Sequence, residues 1–201
     1  MVKRTTTPRH YKNRNFNTTD SMHDESRLRS RGQHPSVREN KERAMSQIEE
    51  KLAELGITLP DAGSAPKAAG NYSPFVLSGN MVYVSGQISR HADDSPMVGK
   101  LGDTFSVEDG AAAARTCAVQ LLMQANIACG GDLTRLKKVV KLTGFVNSTS
   151  DFTDQPKVIN GCSDLLVEIL GDIGRHARSA VSAASLPLGV AVEIEGVFEI
   201  A

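Results

Sequence analysis

The chain has 201 residues, enough for one well-buried core and too few for two full domains. Its formal net charge is zero, but residues 1–44 carry 11 Lys/Arg against 5 Asp/Glu while residues 45–201 carry 12 against 18, so the body of the chain is mildly acidic and gives nucleic acid no bulk attraction. No run approaches the roughly 18 to 20 apolar residues of a membrane span and no signal-peptide apolar core opens the sequence, which predicts a soluble protein with no membrane partner.

Residues 1–44 are rich in Arg, Lys, Asn, Ser and Thr, and isolated apolar residues such as Phe16 and Leu28 fall into no period. The expectation is a disordered basic tail, or residues upstream of a start at Met45, ahead of a single domain over 45–201. A polyanion-touching tail and a transit peptide are the sharper alternatives, the second opposed by the tail's acids. Ser46 followed by Glu49 reads as a capping box opening a short helix that Gly56 stops. Pro60, Gly63, Pro66 and Gly70 then make a loop leading to Asn71-Tyr72-Ser73-Pro74.

Phe75–Leu77 and Met81–Ser85 are β-prone runs around Ser78-Gly79-Asn80, the pattern of a hairpin. Gly86 at the strand's end marks either a bulge or a place where a ligand approaches the backbone. Residues 90–104 read as a surface excursion. Ser106 caps a helix with an apolar stripe of Ala114, Cys117, Ala118, Leu121, Leu122, Ala125 and Cys129, ended by Gly130-Gly131. Lys138–Asn147 reads as a strand. A second helix covers about Pro156–Leu170, with a stripe of Val158, Cys162, Leu165, Leu166 and Ile169. Two alternating segments, from His176 and from Val190, are joined at Pro187–Gly189 and read as a closing hairpin. The order predicts an α+β fold, one mixed sheet with two helices packed on a single face. The other sheet face then needs a cover, and self-association is the economical one.

The cysteines, Cys117, Cys129 and Cys162, have no C-x-x-C spacing, which fits free thiols in a reducing compartment such as the cytoplasm. With the histidines they make no recognisable zinc pattern, so no metal and no cofactor are expected. Arg178 is the most informative residue, because it sits permanently charged in a strand of small residues and must meet an acid or an anionic ligand. Taken alone it suits a structural ion pair with Glu195 or with an acid across an interface. Glu193 alone suits a solvent-facing strand carboxylate, Tyr72 a packing residue, Asn160 a helix-surface amide and His176 a wall or surface residue.

Asn71-Tyr72-Ser73, Tyr83-Val-Ser-Gly-Gln-Ile88, Val139–Val146, Val158-Ile-Asn160, Ala177-Arg178-Ser-Ala-Val181, Leu186-Pro187 and Val192-Glu193-Ile-Glu195, in this order and spacing, resemble the RidA/YjgF/UK114 family, historically labelled endoribonuclease L-PSP. The resemblance covers about residues 65–201. It implies a chorismate-mutase-like fold, a homotrimer with ligand clefts between subunits, and hydrolysis of 2-imino or enamine acids (2-aminoacrylate, 2-iminobutanoate) to 2-keto acids and ammonia. On that likeness Arg178 clamps the substrate carboxylate and Glu193 orders the attacking water, while Tyr72, Asn160 and the Ser85-Gly86 backbone line the pocket. Ala180 stands where familiar members often carry a cysteine, Pro74 replaces a glutamine, and about three extra residues separate Phe152 from Asn160. These departures resemble a longer branch of the family. A non-catalytic trimer binding small 2-keto carboxylates is the alternative, and an endoribonuclease the third, opposed by the acidic domain.

The chemistry is consistent with the residues. A guanidinium can take a carboxylate bidentately and orient the adjacent imine carbon, and a water held by Glu193 can attack it. If the last two segments form a hairpin, Glu193 lies opposite Ser182 and shares a face with Arg178, roughly 13 Å along the strand.

Overall fold

Capping opens the described part of the chain: in this computed structural model, which describes residues 36–59 and 70–201, α1 (Val37–Glu54) starts behind Ser36. The Ser36 hydroxyl accepts from the Glu39 amide at 3.2 Å, and the Glu39 carboxylate accepts from the Ser36 amide at 2.6 Å. This corrects the expected start at Ser46, which lies inside the helix and donates to Glu50 at 3.0 Å. Residues 37–44, read as tail, are helical. The first half of α1 is polar, its buried apolar side chains being Ile48 and Leu52, so no apolar stripe reveals it. Lys41 pairs with Asp132 at 2.8 Å, tying this polar half to the domain. Gly56, at φ +65°, ends the helix as expected. The expected tail over residues 1–35 and the loop through Pro60, Gly63 and Pro66 lie outside the described residues.

The remaining elements are β1 (Phe75–Ser78), β2 (Met81–Ile88), α2 (Val107–Ala128), β3 (Leu136–Asn147), α3 (Gln155–Leu170), β4 (Ala177–Ala183) and β5 (Val192–Ile200). The predicted first hairpin is present, β1 pairing antiparallel with β2, and the bulge falls between Val84 and Gln87, around Gly86. Both helix predictions hold: Ser106 caps α2, and the predicted apolar stripes of α2 and α3 are buried. The two helices cross closely at Gly161, where a Cβ would collide with the Ala111 carbonyl oxygen of α2. Residues 90–104 are less superficial than expected, because Leu101 is fully buried and its amide donates to the Asn147 carbonyl at 2.9 Å.

The closing segments do not form a hairpin. The sheet order is β1-β2-β5-β3-β4, with β4 parallel to β3 and β5 antiparallel to both β2 and β3. Thus β3, α3 and β4 make a βαβ unit, and β5 enters the middle of the sheet. The connection after β4 crosses the end of β3, where the Asn147 amide donates to the Ala191 carbonyl at 2.9 Å and the Asn147 side chain donates to the Val190 carbonyl at 3.2 Å. The physical reason is burial: Val192, Ile194, Gly196, Phe198 and Ile200 are all buried under the helices, which demands a central position, whereas small-residue β4 tolerates the edge.

Helices α2 and α3 cover the face bearing Ile194, Phe198 and Leu142. The opposite face carries Tyr83, Val197, Lys141, Thr143 and Glu195 around a shallow depression, with Val76, Tyr83 and Val181 exposed. This open face, mixed in polarity but with those three large apolar side chains exposed, is the one that calls for a cover.

Candidate functional site

Arg178 lies on edge strand β4, in register with Leu142 of β3, so its side chain leaves the sheet on the helix side. There α3 receives it. Nη1 donates to Asn160 Oδ1 at 2.9 Å and to Ser163 Oγ at 3.0 Å, and Nη2 donates to the Pro156 carbonyl at 3.3 Å. Its partners are neutral, and among the described residues no carboxylate pairs with it, so the expected alternative of an ion pair with Glu195 is absent within the chain. Three of its five N–H groups are engaged, leaving the Nε–H and one Nη2–H. Ala180, two residues on, points to the same side of β4.

Asn160 therefore meets Arg178, and two further residues join them. Ser163 Oγ lies 3.0 Å from His176 Nε2, and His176 Nδ1 lies 2.6 Å from the Gly174 carbonyl oxygen. His176, expected as a wall or surface residue, instead has a defined side-chain partner, and no sequence pattern singles out Ser163. Asn160 and Ser163 are three apart on one helix, a spacing that puts them on a common face, but only the packing of α3 on β4 shows that this face meets Arg178.

Glu193 lies elsewhere. It pairs with Ile88 of β2 and Phe145 of β3, and Phe145 pairs with Val181, so Glu193 projects from the open face of the sheet. The hairpin-based expectation that Arg178 and Glu193 share a face is corrected: they lie on opposite faces, two strands (about 10 Å) and three residues (about 10 Å) apart. Glu193 stands instead against Gly86, where an added Cβ would overlap its carboxylate, so the bulged glycine makes room for this side chain. Burial and the neighbouring Glu195 push the Glu193 carboxyl above the ordinary range. Ser85, beside Gly86, donates its hydroxyl to the Ser73 carbonyl at 2.7 Å and its amide to the Pro74 carbonyl at 2.9 Å. That fastens the Tyr72 segment, with Tyr72 itself exposed, near the β1 edge.

The candidate residues thus form two groups. Arg178, Asn160, Ser163, His176 and Ala180 stand at the β4 edge, while Glu193 on β5 and Ser85 and Gly86 on β2 lie two and three strand spacings (about 10 and 14 Å) across the sheet, with Tyr72 just ahead of β1. Among the described residues no cluster of His, Cys, Asp and Glu could hold a metal ion. The three cysteines are free and buried, and burial pushes Cys162 up to about 12, leaving it a packing group.

Burial lowers the pKa of His176, and the Arg178 and Lys138 cations beside it act in the same direction. The folded state therefore keeps this ring neutral at a pH where the unfolded chain, near 6.5, already binds a proton. Stability gained from His176 is full above about 6.5 and is lost as pH falls below it, until the folded-state value is passed. Urea midpoints at pH 7.5 and 5.5 should show a steeper drop for the wild type than for His176→Gln; parallel drops would contradict this assignment.

The matching family model is described as "YjgF/chorismate mutase-like, putative endoribonuclease" and covers residues 49–197. The chain is 46% identical over 158 residues to Protein TCP17 of Trypanosoma cruzi, a match spanning 78% of this chain and 96% of that protein. It is 33% identical over 133 residues to 2-iminobutanoate/2-iminopropanoate deaminase of Dermatophagoides farinae, spanning 66% of this chain and 88% of that protein. The crystal structure of Atu1372, a protein with unknown function from Agrobacterium tumefaciens, superposes with a TM-score of 0.72 at 42% identity, covering 81% of this chain and 98% of that one. With a family match that runs through α2, α3 and nearly the whole sheet, the chain belongs to the YjgF family and has its chorismate-mutase-like α+β fold.

Proposed function

We propose that the protein hydrolyses small 2-imino acids to 2-keto acids and ammonia, at sites completed between subunits. The observation that carries this reading is Arg178, a guanidinium braced by neutral acceptors and matched by no carboxylate among the described residues of its own chain. Such a group is ready for an anionic ligand, and its remaining Nε–H and Nη2–H suit a carboxylate. The similarity to a 2-iminobutanoate/2-iminopropanoate deaminase supports an imino acid as that carboxylate's bearer.

Glu193 supplies the second function. A carboxyl whose pKa burial holds above the ordinary carboxylate range is a stronger proton acceptor than a solvated one. Water attacks the imine carbon as its proton passes to Glu193, forming the C–O bond while C=N becomes C–N. Glu193 returns the proton to nitrogen to give the carbinolamine; the carbinol O–H proton then passes to nitrogen by way of the same carboxylate as C=O forms and the C–N bond breaks, releasing ammonia and a 2-keto acid. Imines hydrolyse unaided, so a factor of about 10² to 10⁴ from a positioned acid–base group suffices.

One chain does not bring Arg178 and Glu193 together, since they occupy opposite faces and belong to different edge groups. A head-to-tail contact joins the β4 edge of one subunit to the β1–β2 side of the next, and repetition closes a ring. Three copies, the number expected from the family likeness, would also bury the open face with Val76, Tyr83 and Val181. In this ring Tyr72, Ser85, Gly86 and Glu193 from one subunit face Arg178, Asn160 and Ala180 of its neighbour.

The test is to generate 2-iminobutanoate with a threonine dehydratase and follow 2-ketobutyrate release. Catalytic amounts of the protein should accelerate release above the spontaneous rate. Calorimetric binding of 2-ketobutyrate with no acceleration would favour the binding-only alternative instead.

A further inference from the structure

With His176 neutral, the hydrogen bonds around it have one consistent direction. The Gly174 carbonyl can only accept, so Nδ1 carries the proton. In the neutral ring Nε2 is then an acceptor and takes the hydroxyl proton of Ser163 across 3.0 Å. Having donated its single proton, Ser163 Oγ can only accept from Arg178 Nη1, also at 3.0 Å. The chain of bonds thus runs one way, from the guanidinium through Ser163 and His176 to the backbone. The far end is held because Gly174 packs against α3, where a Cβ would overlap the Leu166 carbonyl oxygen.

We propose that Ser163 and His176 are positioning residues for Arg178, a neutral relay that fixes the guanidinium's Nη1 end without neutralising its charge. This rests on the reading of Arg178 as a carboxylate clamp. A carboxylate in the place of Ser163 would orient the guanidinium equally well but would compete with the ligand for it. Hydroxyl, amide and carbonyl acceptors orient it while leaving its full positive charge for the incoming anion. The protonated form of His176 would put a second cation beside Arg178 and reverse the Ser163 bond, so the relay works only with a neutral ring.

The test uses the full chain in two measurements. The first is ¹⁵N NMR of the His176 ring and the Arg178 Nε–H in the ligand-free protein. Wild type should show the neutral Nδ1–H tautomer and a discrete Arg178 signal. Ser163→Ala and His176→Asn should each move or broaden the Arg178 signal, and Ser163→Thr, which keeps the hydroxyl, should restore it. The second is calorimetry with 2-ketobutyrate, where loss of one such bond should weaken binding about three- to tenfold in Ser163→Ala, with Ser163→Thr near wild type. An Nε2–H tautomer, or an Arg178 signal and affinity unchanged in Ser163→Ala, would overturn the relay. Binding to Arg178→Ala equal to wild type would instead sink the carboxylate reading, and the ligand-free spectra would still decide whether Ser163 and His176 hold the guanidinium.

Discussion

Arg178→Ala should abolish the catalysed release of 2-ketobutyrate from 2-iminobutanoate and weaken calorimetric binding of 2-ketobutyrate about 10- to 100-fold, the range for losing hydrogen bonds to a charged partner. The side chain stands at an edge strand, and its intrachain partners are α3 groups that solvent or neighbouring donors can satisfy after truncation. The fold should therefore persist, and circular dichroism with a thermal melt is the control. Arg178→Lys keeps the charge but loses the planar fork, so it should recover only part of the affinity. A fully folded Arg178→Ala protein with wild-type rates would remove the basis of the proposed reaction.

The second large effect tests the arrangement of the site. Glu193→Gln is nearly isosteric and should remove most of the catalysed acceleration, about 10² to 10⁴, while leaving 2-ketobutyrate affinity close to wild type. Because Arg178 and Glu193 of one chain lie on opposite faces, the two inactive variants should complement each other. Co-expressed Arg178→Ala and Glu193→Gln subunits should regain activity: in a head-to-tail ring assembled at random from equal amounts, about one site in four pairs an intact Arg178 with an intact Glu193. Ring mass by light scattering should be three chains for each variant and for the mixture. Activity no greater than the sum of the separate variants, in mixed rings shown to form, would mean that each chain supplies both groups to its own site.

Part of this architecture is legible from residues in series. Ser106 and the two apolar stripes define α2 and α3, and Gly86 marks the bulge where Glu193 needs room. The N-terminal helix is legible too, in the box Ser36-Val-Arg-Glu39, but a charge-rich composition hides it because so little of that helix is buried. Composition reports how much apolar surface a segment must hide, and a helix held by a cap and a salt bridge hides little.

The pairing of strands is a different kind of information. Alternation along Val192–Ile200 states which side chains face inward, and all of them do so. It does not state which strand lies alongside, since the period of two is the same for a hairpin arm and for a central strand. The short turn at Pro187 to Gly189 suggests the nearer neighbour, while burial on the helix face and the length of β3 decide for the farther one.

From the sequence alone come the α+β class, the helices, the first hairpin and the singularity of Arg178, because each depends on local period, capping or charge. The tertiary structure alone decides that β3 separates β4 from β5, that Arg178 and Glu193 leave opposite faces, and that Ser163 and His176 stand behind the guanidinium. These depend on contacts between residues distant in the chain, which burial of the whole sheet selects and no local pattern encodes.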